Sequence, residues 1–269
     1  MKKIAVINDI SGFGRCSLTA ALPVISAMGI ECCPLPSAVL SNQTGFESYL
    51  CRDCTDLMDG FTDEWEKLGV HFDAVLTGYA ASADQLEKMR HFISDFMKED
   101  TLFVCDPVMA DDGKIYPTYN EEMCEKVCDL AKHANIITPN LTELAILTGE
   151  DYNTLNSLEA IGKAAKTLIT YPLHTVIVTG IREGDSATNL VVTADEITPV
   201  TNIMYGGSYS GTGDLFSSVV CGGVVKGLDI ISAVRLASDF ISHAVCDTFA
   251  EQTDRNYGVN FQKFIGMLI

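Results

Sequence analysis

The sequence predicts an α/β fold with a central, mostly parallel sheet and helices on both faces. Three observations carry this. Short apolar runs of strand character alternate along the chain with segments of helical period. No linker, repeat or low-complexity stretch interrupts them, so residues 1–269 read as a single domain. Polar residues collect just after the strand-like runs, at Asp9, Thr44, Tyr79, Asp106, Asn140 and Thr179. Open α/β sheets bind ligands there, outside the carboxyl ends of their strands. One elongated site along one edge of the sheet is therefore expected.

Ile4–Asn8 reads as a buried first strand, followed by a glycine-bearing loop from Asp9 to Arg15. Ser17–Gly29 reads as a helix stopped by Gly29. Glu31–Pro36 gives a second strand, continued by Ala38-Val39-Leu40, and Ser41–Gly45 is a polar loop. Leu50–Gly60 reads as irregular and acidic, with a helix over Thr62–Leu68 capped by Thr62. Ala74–Thr77 is a short strand ending at Gly78-Tyr79. Over Ser82–Lys98 the spacing of Leu86, Met89, Ile93 and Phe96 predicts an amphipathic helix. A strand over Leu102–Cys105 runs into Asp106-Pro107, and Asp111-Asp112-Gly113 reads as a solvated turn. Glu121–His133 is helical, Ile136-Ile137 a strand, and Asn140 opens a short helix through Leu147. Beyond lie a helix over Ser157–Ile169, a strand over Thr175–Thr179 and an antiparallel pair over Ser186–Thr193 and Glu196–Thr201. A buried helix after Asp214 and an amphipathic one from Asp229 to Phe249 complete the order.

The formal charge of −18 disfavours nucleic acid and anionic lipid as partners, and no basic cluster offsets it. No apolar run reaches the ~20 residues a membrane helix needs. Met1-Lys2-Lys3 before Ile4 reads as the start of a strand and not as a signal peptide. Ten cysteines without an export signal suggest reduced thiols in a cytoplasmic protein. Cys51-Arg52-Asp53-Cys54 has no second pair at zinc spacing, and the five histidines stand singly.

The strongest chemical signal is Gly206–Asp214. Glycine-rich chain turns there into the apolar run Leu215–Val225. A glycine-rich loop feeding a buried helix leaves first-turn N–H groups free, and the helix dipole makes that spot positive. Asp214 stands at its mouth. An acid beside an anion hole suits proton removal while the hole stabilises charge on the group being transferred. Neither a P-loop nor GxGxxG is present, and Gly207–Gly211 carries Tyr209 at the centre where a nucleophile elbow needs serine. Asn140 and Glu143 share a helix face. Glu143 reads as a carboxylate at a helix N-terminus and Asp106, before Pro107, as a turn residue.

Gly211-Thr212-Gly213-Asp214 before an apolar helix is similar to the signature of the ribokinase-like small-molecule kinases. Within them the chain most resembles the pyridoxal kinases. The shared stretches are Ser41–Gly45, Leu76–Tyr79, Cys105–Met109 and Pro139–Leu144, in order and with GTGD last. The resemblance implies a three-layer α/β/α ribokinase-like fold and ATP-dependent phosphorylation of the 5′-hydroxymethyl group of a B6 vitamer. It implies Asp214 as catalytic base and the Gly211, Thr212 and Gly213 amides as the anion hole. Asp106 and Glu143 are implied at magnesium, and Asp106, Asn140, Glu143, Thr179, Gly180, Gly211 and Gly213 at the nucleotide. Asp9, Ser11, Thr44, Gly45, Tyr79 and Asp214 are implied at the acceptor, and a homodimer as the assembly. Asp9-Ile10-Ser11-Gly12 departs from this pattern and resembles the hydroxymethylpyrimidine kinases of thiamine synthesis. Asp9 then either pairs with an acceptor ring or caps the following helix. Two other classes remain open: a non-catalytic nucleotide or vitamer sensor, and a hydrolase with water in place of the alcohol.

Overall fold

A computed structural model describes residues 1–269. A nine-stranded sheet runs through its centre. In chain order the strands are β1 (Lys3–Ser11), β2 (Glu31–Leu40), β3 (Cys51–Asp53), β4 (Ala74–Thr77), β5 (Leu102–Cys105), β8 (Ile136–Ile137), β9 (Thr175–Glu183), β10 (Ser186–Val192) and β11 (Ile197–Ile203). A separate hairpin pairs β6 (Ala110–Asp111) with β7 (Lys114–Ile115). The spatial order is β11-β10-β9-β8-β5-β4-β1-β2-β3. From β9 through β2 the neighbours are parallel, and antiparallel strands close both edges.

The order contains one reversal. From β1 the chain moves outward to β2 and β3, then returns to place β4 on the other side of β1. The connections that leave β1 and β4 therefore diverge, opening a crevice at the carboxyl ends of these two strands.

Period-two alternation in the strands sorts side chains to two cores. Ala5, Ile7, Val75, Phe103 and Val176 pack under α2 (Thr55–Lys67), α3 (Ala83–Phe96), α4 (Glu121–Lys132), α5 (Leu141–Thr148) and α6 (Leu158–Thr167). Ile4, Val6, Ala74, Leu76, Val104 and Ile177 pack under α1 (Ser17–Ala27), α7 (Thr212–Val225) and α8 (Ile230–Ala250). The result is the expected three-layer α/β/α arrangement with a mostly parallel sheet. No helix is long and apolar enough to cross a membrane.

Two sequence expectations fail. Leu50–Gly60 is not irregular: it supplies edge strand β3 and the first half of α2. Thr62 is no N-cap, since α2 begins seven residues earlier and the Thr62 hydroxyl donates to the Met58 carbonyl inside the helix. Tertiary packing starts the helix early, because Met58, Phe61 and Trp65 at three- and four-residue steps face the core. Strands β1 and β9 also run past their expected ends, to Ser11 and Glu183.

Candidate active site

Most helices have a side-chain cap: Ser82, Asn120, Asn140, Ser157 and Asp229 each accept from a first-turn N–H of α3, α4, α5, α6 and α8. The starts of α1 and α7 have none, and they meet. Gly211, the residue before α7, takes φ 83°, a left-handed conformation open to glycine. A Cβ there would overlap the Arg15 carbonyl oxygen and lie 2.9 Å from the Cys16 Cα. This close approach sets the two helix starts face to face. The first-turn N–H groups of α7 are left for an outside acceptor. The Thr212 hydroxyl turns back to the Tyr209 carbonyl at 3.1 Å and does not block them.

Asp214 sits half-buried in this junction. The Asn8 amide donates to Asp214 Oδ1 at 2.9 Å. Burial pushes the Asp214 carboxyl up to about 6, while the Ser17 N–H and the Asn8 amide pull it down and the Asp9 charge pushes it further up. Ser17 holds φ 50°, uncommon for a non-glycine residue. It brings its N–H to the Asp214 carboxylate and its hydroxyl to Asp9.

Asp9 is buried, accepts from the Ser11 hydroxyl at 2.8 Å, and is raised above the usual carboxylate range by burial. It does not occupy the N-cap position of α1, which is Cys16. Tyr79 is half-buried, edge-on to Tyr119 with centroids 6.0 Å apart. Burial pushes its hydroxyl up to about 12, with the Thr118 hydroxyl as hydrogen-bond partner and the charge of Asp9 acting on it. Asp9, Ser11, Tyr79 and Asp214 thus come together at the mouth of the crevice between β1 and β4. Thr44 and Gly45 are exposed on the loop that follows β2. Gln43 Oε1 accepts from the Gly45 N–H at 2.7 Å, and Gln43 Nε2 reaches the Asn256 carbonyl at 3.1 Å and the Ser210 hydroxyl at 3.3 Å.

Asp106 ends β5 on the other flank of the α7 start, 3.7 Å from where a Cβ on Gly213 would lie. Burial first, then the Asp214 charge, pushes its carboxyl up to about 7. Asn140 and Glu143 form a capping box. Asn140 Oδ1 accepts from the Thr142 and Glu143 N–H groups, and Glu143 Oε2 from the Asn140 N–H. Glu143 Oε1 accepts from the Met109 N–H at 3.1 Å, and Asn140 Nδ2 donates to the Ala110 carbonyl at 2.7 Å. Both side chains are occupied by backbone and brace the start of α5 against Met109 and Ala110. Burial, then the Asp106 charge, raises Glu143 well above the usual carboxylate range. Thr179 lies beside Asn140 through an isolated bridge, and Gly180 (φ 67°) donates its N–H to Asn189 Oδ1 at 3.0 Å.

No group of three or more His, Cys, Asp or Glu side chains converges as a metal cage. The donors fit Mg²⁺ only as an ion carried largely by phosphate and water, which is its usual habit. Asp106 offers hard oxygens for that, and the buried Thr138 hydroxyl has no hydrogen-bond partner. An open groove of 730 Å³ lined by Met1–Lys3, Leu68–His71 and Asp73 lies at the amino ends of β1 and β4, away from this chemistry.

Sequence reasoning missed Asn8, Cys16 and Ser17. Asn8 reads as the polar tail of an apolar strand, and its partners lie 71 and 206 residues away. Nothing local marks the left-handed backbone at Ser17.

The chain is similar to known small-molecule kinases. Residues 19–259 match the phosphomethylpyrimidine kinase family. A candidate phosphomethylpyrimidine kinase of Bacteroides thetaiotaomicron VPI-5482, crystallised with pyridoxal, is 36% identical with a TM-score of 0.95, over 99% of this chain and 95% of that one. The pyridoxal kinase of Lactobacillus plantarum is 26% identical with a TM-score of 0.91, over 100% of this chain and 96% of that one. A pyridoxine/pyridoxal/pyridoxamine kinase of Bordetella avium is 26% identical over 254 residues, 90% of this chain and 84% of the relative.

Proposed function

The chain belongs to the phosphomethylpyrimidine kinase family, and on that footing we propose that it uses ATP to phosphorylate the 5′-hydroxymethyl group of pyridoxal, pyridoxine or pyridoxamine. The observation that carries this reading is Asp214 at the uncapped start of α7, next to the β1–β4 crevice where Asp9, Ser11 and Tyr79 gather. In the reaction the alcohol oxygen forms a bond to the γ-phosphorus as the bond from phosphorus to the β,γ-bridging oxygen breaks. ADP leaves, and the alcohol proton passes to Asp214. The amides of Gly211, Thr212 and Gly213 face the charge on the transferring group. Asp214, raised to about 6, is a stronger base than an ordinary carboxylate yet mostly ionised at pH 7.

Asp9 and Ser11 hold the polar edge of the acceptor ring, Thr44 and Gly45 its side, and Tyr79 covers its face. Thr179, Gly180 and the Asn140–Glu143 capping box border the nucleotide phosphates. Magnesium, when bound, neutralises phosphate charge. Asp106 would hold it, with Glu143 fixed behind it by the Asn140 and Met109 N–H groups. The same reading extends to one domain over residues 1–269, a homodimer and a cytoplasmic location.

A second reading, phosphorylation of a hydroxymethylpyrimidine, is favoured by the Asp9–Ser11 hydrogen bond, which is built from the two residues that resemble that branch. A panel of vitamers and hydroxymethylpyrimidine with Mg-ATP separates them. A much higher kcat/KM for the pyrimidine overturns the B6 reading. Asp214→Asn should fold and lose about 10²–10⁴ in kcat; near-full turnover at saturation would remove Asp214 from the role of base.

A further inference from the structure

We infer that Asn8 is a positioning residue for phosphoryl transfer, holding Asp214 by Oδ1 so that Oδ2 is the oxygen turned to the acceptor alcohol. This rests on the reading of Asp214 as the base.

The Asn8 side chain is buried, and both its oxygen and its nitrogen are hydrogen-bonded. Its carbonyl oxygen accepts from the Tyr79 N–H at 3.0 Å and from the Asp9 N–H at 2.9 Å. Two backbone donors on one side fix which end of the amide is oxygen, so the NH₂ must face Asp214. It does, at 2.9 Å from Oδ1. No other side chain donates to the Asp214 carboxylate.

The surroundings are built to keep this amide in place. A Cβ at Gly78 would come within 2.5 Å of Asn8 Nδ2 and 2.8 Å of its Cγ, so glycine at the end of β4 is what gives the side chain room. The amide spans the two strands that flank the crevice, since Asn8 lies on β1 and Tyr79 follows β4. It also ties both to α7. Few side chains meet these demands. A hydroxyl has one proton and one oxygen and cannot reach three partners so placed. A carboxylate keeps the acceptor contacts but repels Asp214. Glutamine adds a methylene where Gly78 leaves no space. A pre-set carboxylate needs no reorganisation as the alcohol proton arrives, and small misplacements of such groups are costly in rate.

A double-mutant cycle with Asp214→Asn tests this. Asn8→Leu, close to isosteric, should lower kcat by about 10–10²-fold, with the KM of ATP and of the vitamer moving less than about twofold. In the Asp214→Asn background the same change should cost less than about twofold more, because the group it positions is already gone. Asn8→Ala, which removes the donor without adding a charge beside Asp214, carries the same cycle if the leucine variant does not fold. Circular dichroism verifies the fold of each. An equal fractional loss in both backgrounds, or a loss confined to KM, overturns the inference while leaving the base assignment intact. Near-wild-type turnover of Asp214→Asn alone overturns both.

Discussion

Asp214 draws its character from opposing neighbours. Burial and Asp9 raise it, while the Ser17 N–H and the Asn8 amide lower it. The base must be ionised to accept a proton, so activity should fall as pH drops through about 6 and be flat in this group's contribution above it. The pH profile of kcat/KM reads this in the free enzyme. An acid limb at the ordinary carboxylate value near 4 would mean that Asp214 is better solvated than its position implies. At this scale the sequence was informative where chemistry repeats locally and silent where partners are remote. Asp214 announces itself through four glycines and an apolar run. The roles of Asn140 and Glu143 were half legible: Asn-x-x-Glu before a helix is a capping-box spacing, and the structure spends both side chains on it. Asn8 and Ser17 were invisible, since each acts through contacts that only the folded chain creates.

Among the elements, the site depends on four connections held together by polar side chains. Loops 12–16, 41–46, 206–211 and 254–258 meet at Gln43 and Asn256. The Asn256 amide donates to the Gly45 carbonyl at 2.9 Å, the Ser210 N–H reaches the Arg255 carbonyl at 3.1 Å, and the Arg15 guanidinium reaches the Gly258 carbonyl at 3.1 Å. Phe13 packs edge-on against Tyr257 with centroids 5.1 Å apart. Asn256→Ala removes one neutral hydrogen bond, worth about 1 kcal/mol, or about fivefold. The loss should appear as a higher KM for the acceptor, whose loop contains Gly45, with the KM of ATP unchanged. Steady-state kinetics with each substrate varied in turn checks this, and equal rises in both would place the brace under the whole site. Strands and long helices were readable as contiguous apolar runs and three-to-four spacing. Edge strand β3 was not, because its three residues are exposed and polar. The early start of α2 was hidden by Asp56, Asp59 and Gly60 between its apolar positions.

For the molecule as a whole, acidity is concentrated twice: a surface of net charge −18 and buried carboxyls at the crevice. Asp214 and Asp106 are raised to about 6 and 7, chiefly by burial. Acids raised on folding bind protons more tightly in the native state. Their stabilising contribution is present at low pH and is lost as pH rises through the folded values. Surface self-repulsion has the same sign. The unliganded protein should therefore melt at a higher temperature at pH 6 than at pH 8, and Mg-ATP should raise the melting temperature more at pH 8. Thermal scans with and without nucleotide measure both, and a ligand shift independent of pH would show that these carboxyls do not meet the bound cation. The central sheet supplies the frame early in the chain: β1, β2, β4 and β5 all lie before residue 106. The brace at residues 254–258 arrives last. A ribosome releases the chain from its amino end, so the acceptor loop and the anion hole stay unjoined until those residues emerge. A chain released only as far as residue 253 would lack the bonds by which Asn256 and Arg255 join Gln43, Gly45 and Ser210.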